Sequence, residues 1–181
     1  MKERKYADRF TVARRFDARS GRETRDVRYT GEYFRYPEGS PSPAARAGRI
    51  VPWLGLYWAC LLIHLGTAGA TSRTLYALMP LLLALFPGVY AVMGWVRLWR
   101  APERMTVLDR EKGIGRLVRS CAGAMVLTFA GTLGCAACVM INHVPASSSW
   151  HEVLLPLGAG LAILQSFRLA RGDLGELVES K

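Results

Sequence analysis

The sequence predicts an all-α integral membrane protein with four transmembrane helices in two antiparallel hairpins. Four long, almost uncharged apolar runs each approach the roughly 20 residues that cross about 30 Å of hydrocarbon as a helix. In addition, 23 of the 24 Lys and Arg residues fall on one side of these runs, and only Arg73 falls on the other. Because cytoplasmic flanks accumulate Lys and Arg when helices insert, we expect a multi-pass plasma-membrane protein with both termini in the cytoplasm.

Composition divides the chain into three parts. Residues 1–49 form a basic cytoplasmic arm, residues 50–171 form the membrane domain, and residues 172–181 form a short cytoplasmic tail. The turn between the first two spans is so brief that they must be antiparallel neighbours. The predicted spans cover residues 50–70, 74–96, 117–141 and 150–167.

The arm is too charged to build a substantial core, since it carries 13 Lys and Arg against 7 Asp and Glu. Partial alternation over residues 9–17 and 25–29, with Ser20-Gly21 between them, fits a small β-hairpin. An amphipathic ribbon lying on the membrane or on the other cytoplasmic loops is the alternative, because an isolated hairpin is marginal in water.

Four aromatic residues then fall within residues 29–36, and prolines with Gly39 break regular structure after them. Aromatic rings with a polar tip suit the headgroup region, so we expect an interfacial belt here. A platform for a peptide or ligand is the alternative interpretation.

Pro80 and Pro87 lie seven residues apart in the second span and therefore share one face. Each proline removes a backbone hydrogen bond, so we expect a kinked face that looks into the bundle, either statically bent or acting as a hinge. Between spans two and three, residues 102–112 predict a short amphipathic helix on the inner leaflet. Gly113 and Gly115 are expected to end it.

Thiols and one imidazole are the candidate chemical groups. Cys135 and Cys138 lie three residues apart on one helix face, and Cys60 and His64 lie four apart on another. If these faces meet, three thiols and an imidazole approximate a tetrahedral site for a soft metal such as zinc or cuprous copper. A reversible disulfide between Cys135 and Cys138 that exchanges electrons with a membrane quinone is a second interpretation.

In its four spans and its Cys-x-x-Cys at Cys135 and Cys138, the chain resembles bacterial four-span thiol oxidases. That resemblance implies relay through a second cysteine pair in an outer loop. Residues 142–149 contain no cysteine, so the chain departs from the family at the relay.

Close helix packing is a third interpretation of the cysteines, because small residues surround them. Helices in lipid associate through small residues that let backbones approach closely. The glycines predicted to serve this role are Gly123, Gly131, Gly134 and Gly158.

Other functional classes find less support in the sequence. His143, His151 and Glu152 form either a weak cation- or proton-sensitive patch or a set of solvated loop residues. The predicted spans carry no Asp or Glu at mid-membrane depth, which argues against a proton-coupled exporter. The chain has no P-loop, zinc-protease helix motif or Gly-x-Ser-x-Gly elbow, so we expect no enzymatic activity and no cofactor.

The sequence therefore favours an accessory, scaffold or oligomerising subunit of a membrane complex. A small oligomeric transporter or channel, and a thiol-redox or metal-binding protein, are the alternatives. The net charge of +10 is confined to segments beside the apolar runs, so we expect contacts with anionic lipids of the inner leaflet rather than with nucleic acid. Further copies of the chain or other membrane subunits are the expected protein partners.

Overall fold

Four long helices dominate the computed structural model, which describes residues 10–17, 22–67, 69, 71–143 and 146–180. The long helices are α1 (Pro43–Gly66), α2 (Leu75–Trp99), α4 (Arg116–Ile141) and α5 (Ala146–Gly175), with the short α3 (Val107–Arg110) before α4. By length and composition, four helices are apolar enough to cross a membrane. The predicted number of spans is confirmed to that extent.

The long helices form an up-and-down bundle in the spatial order α1, α2, α4, α5, and each is antiparallel to its two neighbours. Arg46 near the start of α1 meets Asp173 near the end of α5, and Gly94 near the end of α2 adjoins Leu117 near the start of α4. We call the end where α1 and α4 begin the basic end, because the charged flanks of all four helices lie there. The opposite end, which carries Arg73, is the loop end.

Helices α1 and α5 extend furthest beyond the predicted spans, each for a local reason. Helix α1 begins seven residues earlier because the Ser42 side chain accepts a hydrogen bond from the Ala45 backbone N–H at 3.3 Å and Pro43 occupies the first turn. Helix α5 continues past residue 167 to Gly175, and Asp173 in its last turns is buried against Arg46.

Residues 102–112, which we call the elbow, do not form the predicted helix that ends at Gly113 and Gly115, since helix α3 begins only at Val107 and the helical backbone continues through both glycines. The Thr106 side chain caps α3, and a π-helical turn over Glu111–Gly115 then runs directly into α4. The two glycines remain helical because Gly113 and Ile114 are buried against the bundle, where tertiary packing outweighs the low helix propensity of glycine.

The described chain is mostly helical, as predicted, and two small sheets accompany the helices. Strands β1 (Phe10–Asp17) and β2 (Arg22–Tyr29) pair antiparallel with Phe10 opposite Tyr29, so the predicted hairpin is present. Strands β3 (Tyr33–Arg35), β4 (Met105–Thr106) and β5 (Val178–Ser180) form a second sheet in the order β4-β3-β5. We call this second sheet the basic-end sheet.

Two of the aromatic residues expected in an interfacial belt are instead buried at the basic end. The Arg110 guanidinium lies 4.5 Å from the ring centroid of Phe34, and the Arg46 guanidinium lies 3.9 Å from that of Tyr36. For these two residues the belt prediction is wrong, because cation–π contacts and burial hold the rings inside the protein.

The core of α4 follows a heptad, with buried positions alternating three and four residues apart. A similar series on α2 faces it. The heptad positions on α4 are Leu117, Cys121, Ala124, Thr128, Gly131, Cys135 and Cys138, and Thr132 is buried beside them. Three of the four cysteines therefore occupy regular packing positions between helices.

Candidate functional site

Polar groups from three helices converge near the loop end of the bundle. His64 of α1 is buried, and its Nε2 lies 3.8 Å from Sγ of Cys135 on α4. Nδ1 of His64 is buried and makes no hydrogen bond with the part of the chain that the structure describes. The helix faces that carry His64 and Cys135 therefore meet, as the predicted metal site requires, and one thiol lies beside the imidazole.

The other two candidate thiols face elsewhere. Sγ of Cys138 lies 3.5 Å from the Thr74 hydroxyl and accepts a hydrogen bond from the Asn142 amide at 3.3 Å. Cys60 packs on α5, since a Cβ at Gly158 would lie 3.5 Å from its Sγ. All four cysteines are free thiols.

The thiols and the imidazole are therefore not gathered into the predicted four-ligand arrangement. Among the described residues, no three His, Cys, Asp or Glu side chains form a group that could hold a metal ion. Redox or metal chemistry at Cys135 and Cys138 stays a prediction, and the geometry favours packing.

Glu152 is the principal loop-end residue whose position the sequence did not reveal. It is buried rather than solvated, and its Oε2 accepts a hydrogen bond from the Thr71 backbone N–H at 2.8 Å. A Cβ at Gly69 would lie 2.6 Å from the same carboxylate, so the carboxylate packs closely on the Gly69 backbone. The available signal was that Glu152 is the one acidic residue on the loop side of the apolar runs, as Arg73 is the one basic residue.

A second polar cluster lies at the basic end and surrounds Arg46. Its guanidinium forms ion pairs with Asp173 at 2.6 Å and with Glu176, and its Nε donates to the Pro41 carbonyl at 3.1 Å. Arg49 also contacts Asp173, at 2.9 Å. We call this group the Arg46 cluster, and it joins α1, α5 and the segment that leads from the arm.

Tyr36 completes the Arg46 cluster, since its ring packs against the Arg46 guanidinium. Burial raises the pKa of its phenol well above the ordinary value of 10.0, and the nearby Asp173 carboxylate raises it further. The hydroxyl makes no hydrogen bond with any described residue. Beside the cluster, a cavity of about 390 Å³ is lined by residues 35–43 together with Glu103 and Arg104.

The four glycines predicted to mediate packing fall into two groups. A Cβ at Gly134 would lie 2.8 Å from the Tyr76 carbonyl, and a Cβ at Gly131 would lie 2.5 Å from the Leu81 side chain. By contrast, a Cβ at Gly123 or Gly158 would meet its nearest neighbour at 3.6 or 3.5 Å, which is ordinary contact.

Two close approaches lie on α2 and were missed. A Cβ at Gly94 would lie 2.8 Å from the Leu117 backbone nitrogen, and one at Gly88 would lie 3.0 Å from the Tyr57 ring. The sequence search for packing glycines covered the third and fourth spans, although the facing helix contributes equally to the contact.

Pro80 and Pro87 both lie inside α2, which remains helical through them. Both are half-buried, and the Pro87 side chain would lie 3.6 Å from a Cβ at Gly123 of α4. Tyr57 donates a hydrogen bond to the Ala84 carbonyl at 2.9 Å, close to the region where Pro87 removes a backbone donor. The kink itself stays a prediction.

No family model, curated protein or solved structure matches this chain.

The polar groups at the two ends of the bundle differ in the chemistry that they can support. The Arg46 cluster is an ion-pair network that holds separate segments together, and within it Oδ2 of Asp173 makes no hydrogen bond with any described residue. Near the loop end lie a buried imidazole, a buried thiol and a buried carboxylate, each of which is an ionisable group.

Proposed function

We propose that the protein is a multi-pass plasma-membrane protein, with its basic end in the cytoplasm, that acts as an accessory or oligomerising subunit of a membrane complex. This placement is supported by the unequal distribution of Lys and Arg between the two ends of the bundle. Of the 24 Lys and Arg residues in the sequence, only Arg73 falls on the loop side of the apolar runs. The observation that carries the proposed role is the basic-end sheet. Its three strands come from the arm, the elbow and the tail, and the Arg46 cluster joins this region to the bundle.

An assembled surface of this kind suits a binding role. In the order β4-β3-β5, the outer strands are paired on one side only, and such edges can accept a strand from another chain. The buried Arg46–Asp173 pair keeps the tail from separating from α1, so the surface is presented in one arrangement. Preorganisation lowers the entropic cost of binding a partner.

Site-specific photocrosslinking in native membranes tests this role. We expect a photoreactive residue at Glu179 of β5 to give a discrete protein adduct, which mass spectrometry identifies as another subunit or a second copy. The matched position is Leu133, an exposed apolar residue of α4, where lipid adducts are expected. A chain that gives no protein adduct at position 179 and runs as a monomer in mild detergent would contradict the proposal.

Orientation is tested separately with single cysteines in a cysteine-free background. In intact cells, a membrane-impermeant maleimide is expected to label Arg73→Cys and to leave Glu179→Cys unlabelled until the cells are opened. The reverse pattern would place the basic end outside.

A small oligomeric transporter or channel is the second candidate, and the buried Glu152 and His64 favour it. Ionisable residues inside span-length helices often mark ion or proton pathways. Flux of protons or cations into proteoliposomes, lost in Glu152→Gln, would support transport. Flux equal to that of empty vesicles across a broad panel would remove this candidate.

A further inference from the structure

The outward faces of α4 and α5 carry apolar stripes that end in arginine at the basic end. The members of each stripe are exposed and recur every seven residues, which is nearly two helical turns. On α4 the stripe consists of Met140, Leu133, Val126 and Arg119. On α5 it consists of Leu154, Leu161 and Arg168.

Each stripe has the polarity profile of a phospholipid. The apolar members face away from the bundle, with exposed fractions of 72% at Leu133 and 64% at Val126. The arginine lies about 10 Å along the helix axis from the nearest apolar member of its stripe, at the rise of 1.5 Å per residue. An acyl chain can therefore lie along the apolar residues while its phosphate reaches the guanidinium.

The arginines of these two stripes differ from those on the other helices. Arg49 of α1 pairs with Asp173 at 2.9 Å, and Arg97 of α2 pairs with Asp109 at 3.1 Å. Arg119 and Arg168 form no ion pair with any carboxylate in the described part of the chain. Their charges remain available for an external anion.

We propose that anionic phospholipids bind along the α4 and α5 stripes, with their phosphates on Arg119 and Arg168. The lipid is the occupant rather than free phosphate, because the apolar residues continue directly from each arginine and a free ion would use none of them. Arginine also suits phosphate through its fork of N–H donors. The inference rests on the membrane placement proposed above and is independent of the subunit role.

Native mass spectrometry of the full chain in mild detergent tests the lipid sites with phosphatidylglycerol and phosphatidylcholine as probes. We expect the wild-type chain to retain phosphatidylglycerol in preference to phosphatidylcholine. Arg119→Gln with Arg168→Gln should lower that preference by about fivefold for each arginine, as expected for one surface charge near an anionic headgroup. The corresponding lysine pair should keep most of the preference.

The matched control is Arg73→Gln with Arg104→Gln, which removes the same two charges from exposed positions outside the stripes. It should retain phosphatidylglycerol like the wild type, and excess inorganic phosphate should not displace the lipid. An equal loss in both double variants, no preference in the wild type, or displacement by phosphate would overturn the inference. Recovery of the wild-type chain in the soluble fraction without detergent would instead contradict the membrane placement.

Discussion

Nη1 of Arg46 lies 2.6 Å from Oδ1 of Asp173, although 127 positions separate the two residues in the chain. Arg46 is 1% exposed and Asp173 is 2% exposed, so the pair is screened from solvent on all sides. It connects the start of α1 to the end of α5 and lies directly above Tyr36. The basic end of the bundle is thus closed by a contact between the first and last long helices of the chain, which are neighbours in space.

Replacing Asp173 with asparagine should destabilise the protein by about 1.5 to 3 kcal/mol, because the buried Arg46 loses one of its two carboxylate partners and keeps only Glu176. Thermal unfolding in mild detergent measures the effect. The control is Glu38→Gln, since the exposed pair of Glu38 with Arg35 at 3.6 Å should contribute less than about 1 kcal/mol. Equal melting temperatures for the two variants would show that the buried pair adds no stability.

Alanine substitutions should separate essential packing glycines from permissive ones. Gly94→Ala and Gly134→Ala should lower the melting temperature, because the added Cβ would lie 2.8 Å from backbone atoms of the facing helix. Gly123→Ala meets only ordinary contact at 3.6 Å and should be neutral or stabilising by up to about 1 kcal/mol through helix propensity. A Gly134→Ala chain as stable as Gly123→Ala would refute the close approach of α2 and α4.

Tyr36 should make stability fall at alkaline pH. Burial and the neighbouring Asp173 raise its pKa in the folded protein above the ordinary value of 10.0. The unfolded chain therefore releases the phenolic proton first, so the contribution of Tyr36 is complete below about pH 10 and declines as the pH rises further. Chemical unfolding of wild type and Tyr36→Phe from pH 8 to pH 11 should show a smaller decline in the variant. Parallel curves would exclude this role for the phenol.

Glu152→Ala should loosen the turn between α1 and α2, because the buried Thr71 N–H loses its acceptor. An unsatisfied buried donor costs about 1 to 3 kcal/mol. Hydrogen–deuterium exchange should accelerate in residues 67–74 and remain unchanged at the basic end. His151→Ala, at the neighbouring half-buried position, is the control and should leave exchange in this turn at the wild-type rate.

The cysteines should differ in reactivity according to burial. Cys60 is partly exposed, whereas Cys121, Cys135 and Cys138 are buried between helices. A membrane-permeant maleimide should label one site in the native protein and four after denaturation. Rapid native labelling of Cys135 or Cys138 would revive the thiol-redox interpretation, because a working dithiol must be accessible to its electron partner.

Local patterns predicted the parts of the fold that depend on nearby residues. The arm hairpin followed from alternation over residues 9–17 and 25–29, and the structure pairs these segments, with Phe10 opposite Tyr29. The strands of the basic-end sheet gave no such signal. Strand β4 contains two residues, so it has no measurable period and exists only because β3 lies beside it.

The candidate sites divide in the same way. The spacing of Cys135 and Cys138 placed both thiols on one face of a helix, yet only Cys135 reaches His64. Which side chain lies opposite another depends on the rotation and depth of each helix in the bundle, and sequence spacing within one helix carries no information about either.

By itself, the sequence determined four helices of span length and the sorting of charge to one end, because helix length and local polarity are properties of contiguous residues. Only the tertiary structure decided that Arg46 meets Asp173, that Glu152 holds the turn at Thr71, and that three distant segments form one sheet. These contacts join residues at least 70 positions apart. Whether a buried polar group finds a hydrogen-bond partner at such a separation depends on how the helices pack in the assembled bundle.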